Sequence, residues 1–339
     1  MYTGASTSEG QGAAAGGTAD GERRRRHPLV AALCALTLLV LTVTLGFRAG
    51  DEDGPTPVPQ LLAFLPWFLA PAWLVLLGAA LMRRWLLLVW ALAVLVGTGW
   101  FLRPYGPPAP AGAADREPRA QFRLLTANLK YGRATGDLLA AVRRERPQFV
   151  AVQECDTRCA SALRGPRLRE EYPHRMITGV DGGARGSALL SVYPLSGRSQ
   201  VRGRLSMPGA VADVHGKRIA VQVAHPMPPL PRDTAHWRTE LDRLRAYAAA
   251  RKRPTLIAGD FNSSQDHAAF RALLDTGMHD AARILGNSRT PTWPARTTPV
   301  LGAQIDHVLL SRPLVPVDAT FLDLRGTDHR GLLVNVKLL

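Results

Sequence analysis

The chain has 339 residues, with 31 Gly, 26 Pro, and 42 Lys+Arg against 27 Asp+Glu. That length allows one substantial domain with appendages. Its three cysteines are too few for a typical cysteine-rich zinc site, and its positive charge does not by itself select a partner. Residues 119–339 hold 33 basic against 19 acidic side chains, with Lys130, Lys217, Lys252 and Lys337 the only lysines. An arginine excess of this kind can attract nucleic acid or anionic lipid head groups, but a codon bias yields it equally well.

In chain order, residues 1–27 are rich in Gly, Ala, Ser and Thr and end in Arg23-Arg24-Arg25-Arg26, which predicts a disordered basic tail. Residues 28–102 contain three apolar stretches, running approximately from Pro28 to Phe47, Leu61 to Met82 and Trp85 to Leu102. Each approaches the roughly 20 residues needed to cross a bilayer, so three transmembrane helices are expected. A signal peptide is the rival reading of the first stretch, against which stand its length and the lack of a small-residue cleavage site before Phe47-Arg48. Arginines precede the first stretch and form the Arg83-Arg84 turn, while Asp51-Glu52-Asp53 lie between the first two. The positive-inside rule then places the N-terminus in the cytoplasm and everything after Leu102 outside, in a multi-pass protein of the cell membrane. Cys34 lies in the first stretch, where it packs as a small hydrophobe.

Residues 103–118 are Pro/Ala-rich and read as a semi-rigid tether. The globular domain occupies 119–339. Within it Leu124–Ala127 is an apolar strand, Asp137–Arg146 a helix closed by Pro147, and Phe149–Gln153 the next strand. Ser187–Val192, Ile219–Ala224, Thr255–Ala258, Gln304–Leu310 and Leu332–Lys337 supply further strands. A helix with Trp237, Leu241, Leu244 and Ala248 on one stripe lies between Ala224 and Thr255. Many short strands with intervening helices predict an α/β fold of two packed sheets flanked by helices.

The apolar runs end in polar groups: Asn128, Gln153-Glu154, Gly259-Asp260-Phe261-Asn262, Asp306-His307 and Thr327-Asp328-His329. Buried carboxylates need a cation or a donor, so a convergence of Asn, Glu, Asp and His points to a hard divalent metal beside a reacting oxyanion. The ordered set resembles the signature of the endonuclease/exonuclease/phosphatase superfamily, across essentially all of 119–339. That resemblance implies a four-layer α/β sandwich of two mixed β-sheets flanked by helices, which hydrolyses phosphate esters with Mg²⁺ or Mn²⁺.

By the same resemblance Glu154 is the principal metal ligand, with Asn128 and Asp328 in the metal region. Asp260 positions or deprotonates the attacking water, and Asn262 donates its amide to the developing charge. His329 contacts the phosphate or transfers a proton, with Asp306 holding its imidazole in one tautomer. Whether Asp260 or His329 activates water is left open. His225 resembles the family's phosphate-binding histidine but departs from the pattern by being followed by Pro226-Met227-Pro228-Pro229. His307 points to the opposite face of its strand and is expected to pack structurally. The block Gly186–Ser191 with Tyr193-Pro194 also resembles the family, but Val192 stands where an arginine is often found, so no catalytic role is assigned. Thr292-Trp293-Pro294 reads either as a substrate-side loop or as a core Trp segment. Cys155 and Cys159 could form a bridge beside Glu154; the sequence leaves that open.

Three apolar stretches before an outward-facing catalytic domain look like the membrane phosphatases linked to teicoplanin resistance, the VanJ type. That likeness implies a lipid-linked pyrophosphate such as undecaprenyl diphosphate as substrate, with the lipid bilayer as partner. The competing enzyme reading is an anchored nuclease acting on external nucleic acid. A non-catalytic membrane adaptor is the reading from a different class, and the complete polar set argues against it.

Overall fold

A computed structural model describes residues 28–108, 116–295 and 301–339. The expected basic tail and residues 109–115 of the tether lie outside the described residues. The catalytic domain holds two six-stranded sheets. The first takes β1 (Ala120–Asn128), β2 (Phe149–Gln153), β3 (His174–Thr178), β4 (Ser187–Ser191), β11 (Leu314–Asp323) and β12 (Arg330–Leu338), in the order β11-β12-β1-β2-β4-β3. The second takes β5 (Leu195–Val201), β6 (Met207–Val214), β7 (Lys217–Ala224), β8 (Thr255–Asp260), β9 (Met278–Asp280) and β10 (Asp306–Ser311), in the order β5-β6-β7-β8-β10-β9. In each sheet the central pair, β1 with β2 and β7 with β8, is parallel and the other pairs are antiparallel. Both sheets are therefore mixed, as expected.

The period of two along each strand divides the apolar side chains between two environments. Leu124, Phe149, Ala151, Val221, Val223, Leu256, Ala258 and Val308 fill the seam between the sheets. Their chain neighbours Leu125, Val150 and Val152 pack outward with Leu138, Ala141 and Val142 of the helix Thr135–Glu145. On the outside of the second sheet, Ile257 and Leu309 pack with Trp237, Leu241, Leu244 and Ala248 of the helix Thr234–Ala249. The layers run helix, sheet, sheet, helix. Two strand ends on each side of the seam, Asn128 and Gln153 against Asp260 and Asp306, share the inward parity and so meet at one edge of it.

The helical region corrects one expectation. Among the described residues one helix, α1 (Pro28–Ala49), is long and apolar enough to cross a membrane. The second stretch is broken into α2 (Val58–Ala63), a 3-10 turn over Leu65–Phe68 and α3 (Leu69–Leu81). Pro66 sits at the start of that turn, where a missing N–H favours a new helix start over continuation. The third stretch forms α4 (Trp85–Phe101), 17 residues, which at 1.5 Å per residue spans about 25 Å. The four helices and the 3-10 turn pack through Leu38, Leu41, Leu45, Leu62, Leu65, Ala72, Val75, Ala91 and Val94.

This helical module is fastened to the catalytic domain by polar contacts. Asp53 accepts hydrogen bonds from the N–H groups of Ala268 (2.7 Å) and Ala269 (3.2 Å), capping the helix Ala268–Leu274 from another part of the chain. Arg271, almost fully buried, pairs with Asp51 at 2.5 Å. Buried Asp266 pairs with Arg289 at 2.6 Å and with Arg48 at 3.5 Å. The His267 ring lies 2.8 Å from the Pro59 carbonyl. At the other end, Arg289 donates to the carbonyls of Phe101 and Leu102, and the Tyr105 N–H donates to Gln265. The acidic loop is thus a clasp. Asp53→Ala is expected to lower stability by about 1–2 kcal/mol, the usual cost of losing a cap; thermal unfolding of the full chain in detergent measures it, and an unchanged midpoint would contradict the clasp.

Candidate active site

The first sheet brings Asn128 from the end of β1 and Glu154 just past β2, and the turn before β12 adds Asp328 and His329. The second sheet brings His225 past β7, Asp260 and Asn262 around the end of β8, and Asp306 at the start of β10. Five of these side chains, Glu154, Asn128, Asp260, His329 and Asp306, form a continuous series across the seam. The Asn128 side-chain N–H group donates to Glu154 Oε1 at 3.2 Å and to Asp260 Oδ2 at 3.0 Å. Asp260 Oδ2 lies 3.8 Å from His329 Nε2, and His329 Nδ1 is 2.9 Å from Asp306 Oδ2. Asp260, Asp306, His225 and Asn128 are almost fully buried, while Glu154 and Asn262 are half-buried and reachable.

Backbone geometry places these groups. Gly259 has φ +153°, and a Cβ there would lie 2.0 Å from the Ala224 carbonyl oxygen. Only glycine lets β8 approach β7 this closely just before Asp260. Glu154 (φ 54°) and Asn262 (φ 47°) both adopt left-handed backbone, as do Lys130 and Tyr131 beside Asn128. Such conformations in non-glycine residues cluster where function holds them. The Tyr131 N–H donates to Glu154 Oε2, the Lys130 N–H to Asn128 Oδ1, and the Asn262 N–H to Asp260 Oδ1. Thr327 Oγ1 donates to the Asn128 carbonyl and receives the His329 N–H, tying the last turn to β1.

The prolines after His225 have a structural role. Asn262 Nδ2 donates to the Pro226 carbonyl at 3.0 Å, and buried Glu240 accepts the Met227 N–H at 2.8 Å and the Arg204 N–H at 2.7 Å. His225 is therefore carried on a fixed loop, with its Nδ1 buried and without a partner.

The electrostatics divide the groups. Burial raises Asp260 to about 7, against the lowering influence of His329, with Asp306 adding to the rise. Burial opposes charge on His329, but Asp306 foremost and then Asp260 outweigh it and raise it to about 9. Burial and the charge of His329 hold His225 neutral, down to about 3. At neutral pH the site thus contains an imidazolium, a neutral imidazole and a carboxylate poised to take a proton.

The ligand-type atoms of Asp260, Asp306 and His329 lie within 4.8 Å of one another. That group could hold a cation, and His329, bonded to Asp306, is also placed to exchange a proton with Asp260. The carboxylates of Glu154 and Asp260, linked by one amide, form the oxygen-rich set that suits a hard divalent cation. Asp328 is set apart from them, with its Oδ2 2.8 Å from Lys130 Nζ.

The expected packing of His307 is borne out, since its ring bonds Asp280 at 2.8 Å and the Ser263 carbonyl at 2.9 Å on the outer face. Cys155 and Cys159 form a disulfide, buried behind Glu154. Thr292 accepts the N–H groups of Ile305 and Asp306 on its Oγ1, so it buttresses the site while Trp293 stays half-buried beside it. Lys130 was not singled out by the sequence reading. Its signal was available: it is one of four lysines in an arginine-dominated domain and stands two residues past Asn128.

The family described as Endonuclease/Exonuclease/phosphatase matches residues 125–329, more than half of the chain. The chain belongs to that family. It is accordingly an enzyme that hydrolyses phosphoester bonds. Members of the endonuclease/exonuclease/phosphatase family are generally dependent on a divalent metal, and the buried acidic and histidine group is present here. Among curated proteins none matches in sequence. Solved structures give the same fold. A D. rerio TDP2 humanized by 14 mutations aligns at TM-score 0.56 and 14% identity, over 64% of this chain and 99% of that one. An AP endonuclease from Archaeoglobus fulgidus aligns at 0.51 and 18%, over 62% and 98%. The human Nocturnin catalytic domain with bound sulfate aligns at 0.52 and 16%, over 66% and 95%.

In metal-free protein, an NMR titration of His329 is expected to give a midpoint near 9, because Asp306 and Asp260 favour its charged form. Asp306→Asn removes the leading source of that rise, so the proton is lost at lower pH. An unshifted midpoint in the variant would contradict the pairing.

Proposed function

We propose that this enzyme is anchored in a membrane and hydrolyses a lipid-linked phosphate or pyrophosphate, such as undecaprenyl diphosphate, on the extracytoplasmic side. The observation that carries the reading is the docking of the catalytic domain on an apolar helical module. Leu29, Leu33, Leu36 and Leu39 of α1, Trp73, Leu74 and Leu77 of α3, and Leu86, Val89, Leu92 and Val96 of α4 point outward and exposed. A belt of that kind requires an apolar surrounding. The C-terminal end of α1 and both ends of the α3–α4 hairpin meet the catalytic domain, through Asp51, Asp53, Gln60 and Arg289. Residue 28 and the Arg83-Arg84 turn then face the other side, which agrees with arginines kept in the cytoplasm.

The residues fit a direct hydrolysis. Asp260, as carboxylate, takes a proton from water while the water oxygen bonds phosphorus. The bond from phosphorus to the leaving oxygen breaks, and that oxygen takes the proton of His329 Nε2. The proton on Asp260 returns to His329 across the gap between them. Neutral His225 and the second N–H of the Asn262 amide stabilise charge on the phosphoryl oxygens. Glu154 and Asp260, with Asn128 between them, are the residues that would hold Mg²⁺ or Mn²⁺. Asp328, whose Oδ2 pairs with Lys130 Nζ, stands outside that set. Such an ion, when bound, supplies Lewis-acid neutralisation of phosphate charge.

A second reading, an anchored nuclease, is favoured by the net charge of +14 over residues 119–339 and by solved neighbours such as an AP endonuclease. Binding of DNA by such an enzyme weakens steeply with salt. Purified full chain with Mg²⁺ is therefore offered undecaprenyl diphosphate and plasmid DNA in parallel. Phosphate release from the lipid with intact plasmid is the expected result, and the reverse would install the nuclease. Asp260→Asn and His329→Gln are each expected to cost about 10²–10³ in rate. Full activity in both folded variants would refute the assignment.

A further inference from the structure

Among the described residues of the catalytic domain, the exposed large apolar side chains are Tyr131, Leu230, Leu301 and Val317. Three of these four stand on segments that leave the site. Tyr131 gives its N–H to Glu154. Leu230 ends the proline loop that begins at His225. Leu301 precedes Ala303, which pairs with Trp293.

The same two loops rest on the helical module. The Phe64 and Trp293 rings lie 6.1 Å apart, and Gln60 donates its side-chain N–H to the Pro229 carbonyl. Phe64 stands at the break between α2 and the 3-10 turn that leads into α3. Trp293 stands beside the residue that receives the Asp306 N–H, and the next loop residue but one, Ala295, donates to the Asp328 carbonyl. Phe64, which leads into the 3-10 turn before α3, and Trp293, which follows the residue that receives the Asp306 N–H, thus join the helical module to a loop that borders the site.

We propose that Phe64, Trp293 and Leu230 form the entry for the hydrocarbon chain of the substrate, and that they set the preference for a phosphate carried on a lipid over one carried on a small soluble group. This rests on the lipid-phosphate reading above. The occupant is the lipid tail because Phe64 belongs to the helical module, whose helices carry the belt of exposed apolar side chains, and because Phe64 and Trp293 offer apolar rings where that module meets the site loops. A polynucleotide would instead require cationic side chains there.

The test compares kcat/KM for undecaprenyl diphosphate and for isopentenyl diphosphate, using the full chain in detergent. In Phe64→Ser and Trp293→Ser the ratio of long-chain to short-chain substrate is expected to fall about ten-fold or more, the scale on which apolar pockets discriminate. The fall appears in KM for the long chain, and Trp293→Phe recovers the ratio. An unchanged ratio, including an equal slowing on both substrates, overturns the entry while leaving the lipid reading intact. Wild-type protein that leaves undecaprenyl diphosphate uncleaved overturns the lipid reading itself, so the two failures are distinct. If melting curves show that either variant does not fold, Leu230→Ser, at an exposed position, carries the same expected ratio.

Discussion

Everything at this site depends on hydrogen bonds that cross the seam between two sheets. Asn128 hangs from the first sheet and holds Asp260 of the second; His329 comes from the turn before the last strand of the first sheet and is held by Asp306 of the second. Neither carboxylate could stay buried without such a partner. The apolar packing of the seam and the polar series at its edge are therefore one structure. Core residues such as Leu124 and Leu256 bring the sheets together, and the strand period then decides which side chains emerge at the mouth.

Charge separation is the second consequence. Two buried carboxylates near one imidazole favour its charged form, while burial foremost, and then the charge of His329, keeps the neighbouring His225 neutral. The same surroundings raise Asp260 into the range of a useful base. Two histidines and two aspartates acquire different tasks from position alone.

Much of this was legible in the sequence because strand periodicity and chemistry agree there. Leu124–Ala127 and Thr255–Ala258 alternate between two apolar environments, and the polar residue at each end keeps the inward parity. His307 was recognisable as facing away from parity alone. Strands β5 and β6 were not read, because β5 is an exposed edge and β6 carries Pro208-Gly209, which mimic a turn. The break at Phe64 was missed because hydropathy counts apolar residues and is blind to where a proline restarts a helix. The clasp of Asp51 and Asp53 on residues 266–271 was invisible for another reason. Its partners lie more than two hundred residues apart, and each segment alone reads as an ordinary charged loop.

The clasp also changes how the helical module is understood. Arg271, His267 and Asp266 are buried in the catalytic domain yet find partners on the helical module. The helices are thus part of the folded enzyme, and they fix the orientation of the site relative to whatever surrounds them. The central claim, that Glu154 and Asp260 form one cation site across the seam, is tested most directly by calorimetric titration of Mn²⁺ into the full chain in detergent. A single strong site in the wild type, abolished in Glu154→Gln and in Asp260→Asn alike, is the expected result; Mn²⁺ binding that survives both substitutions unchanged would contradict it.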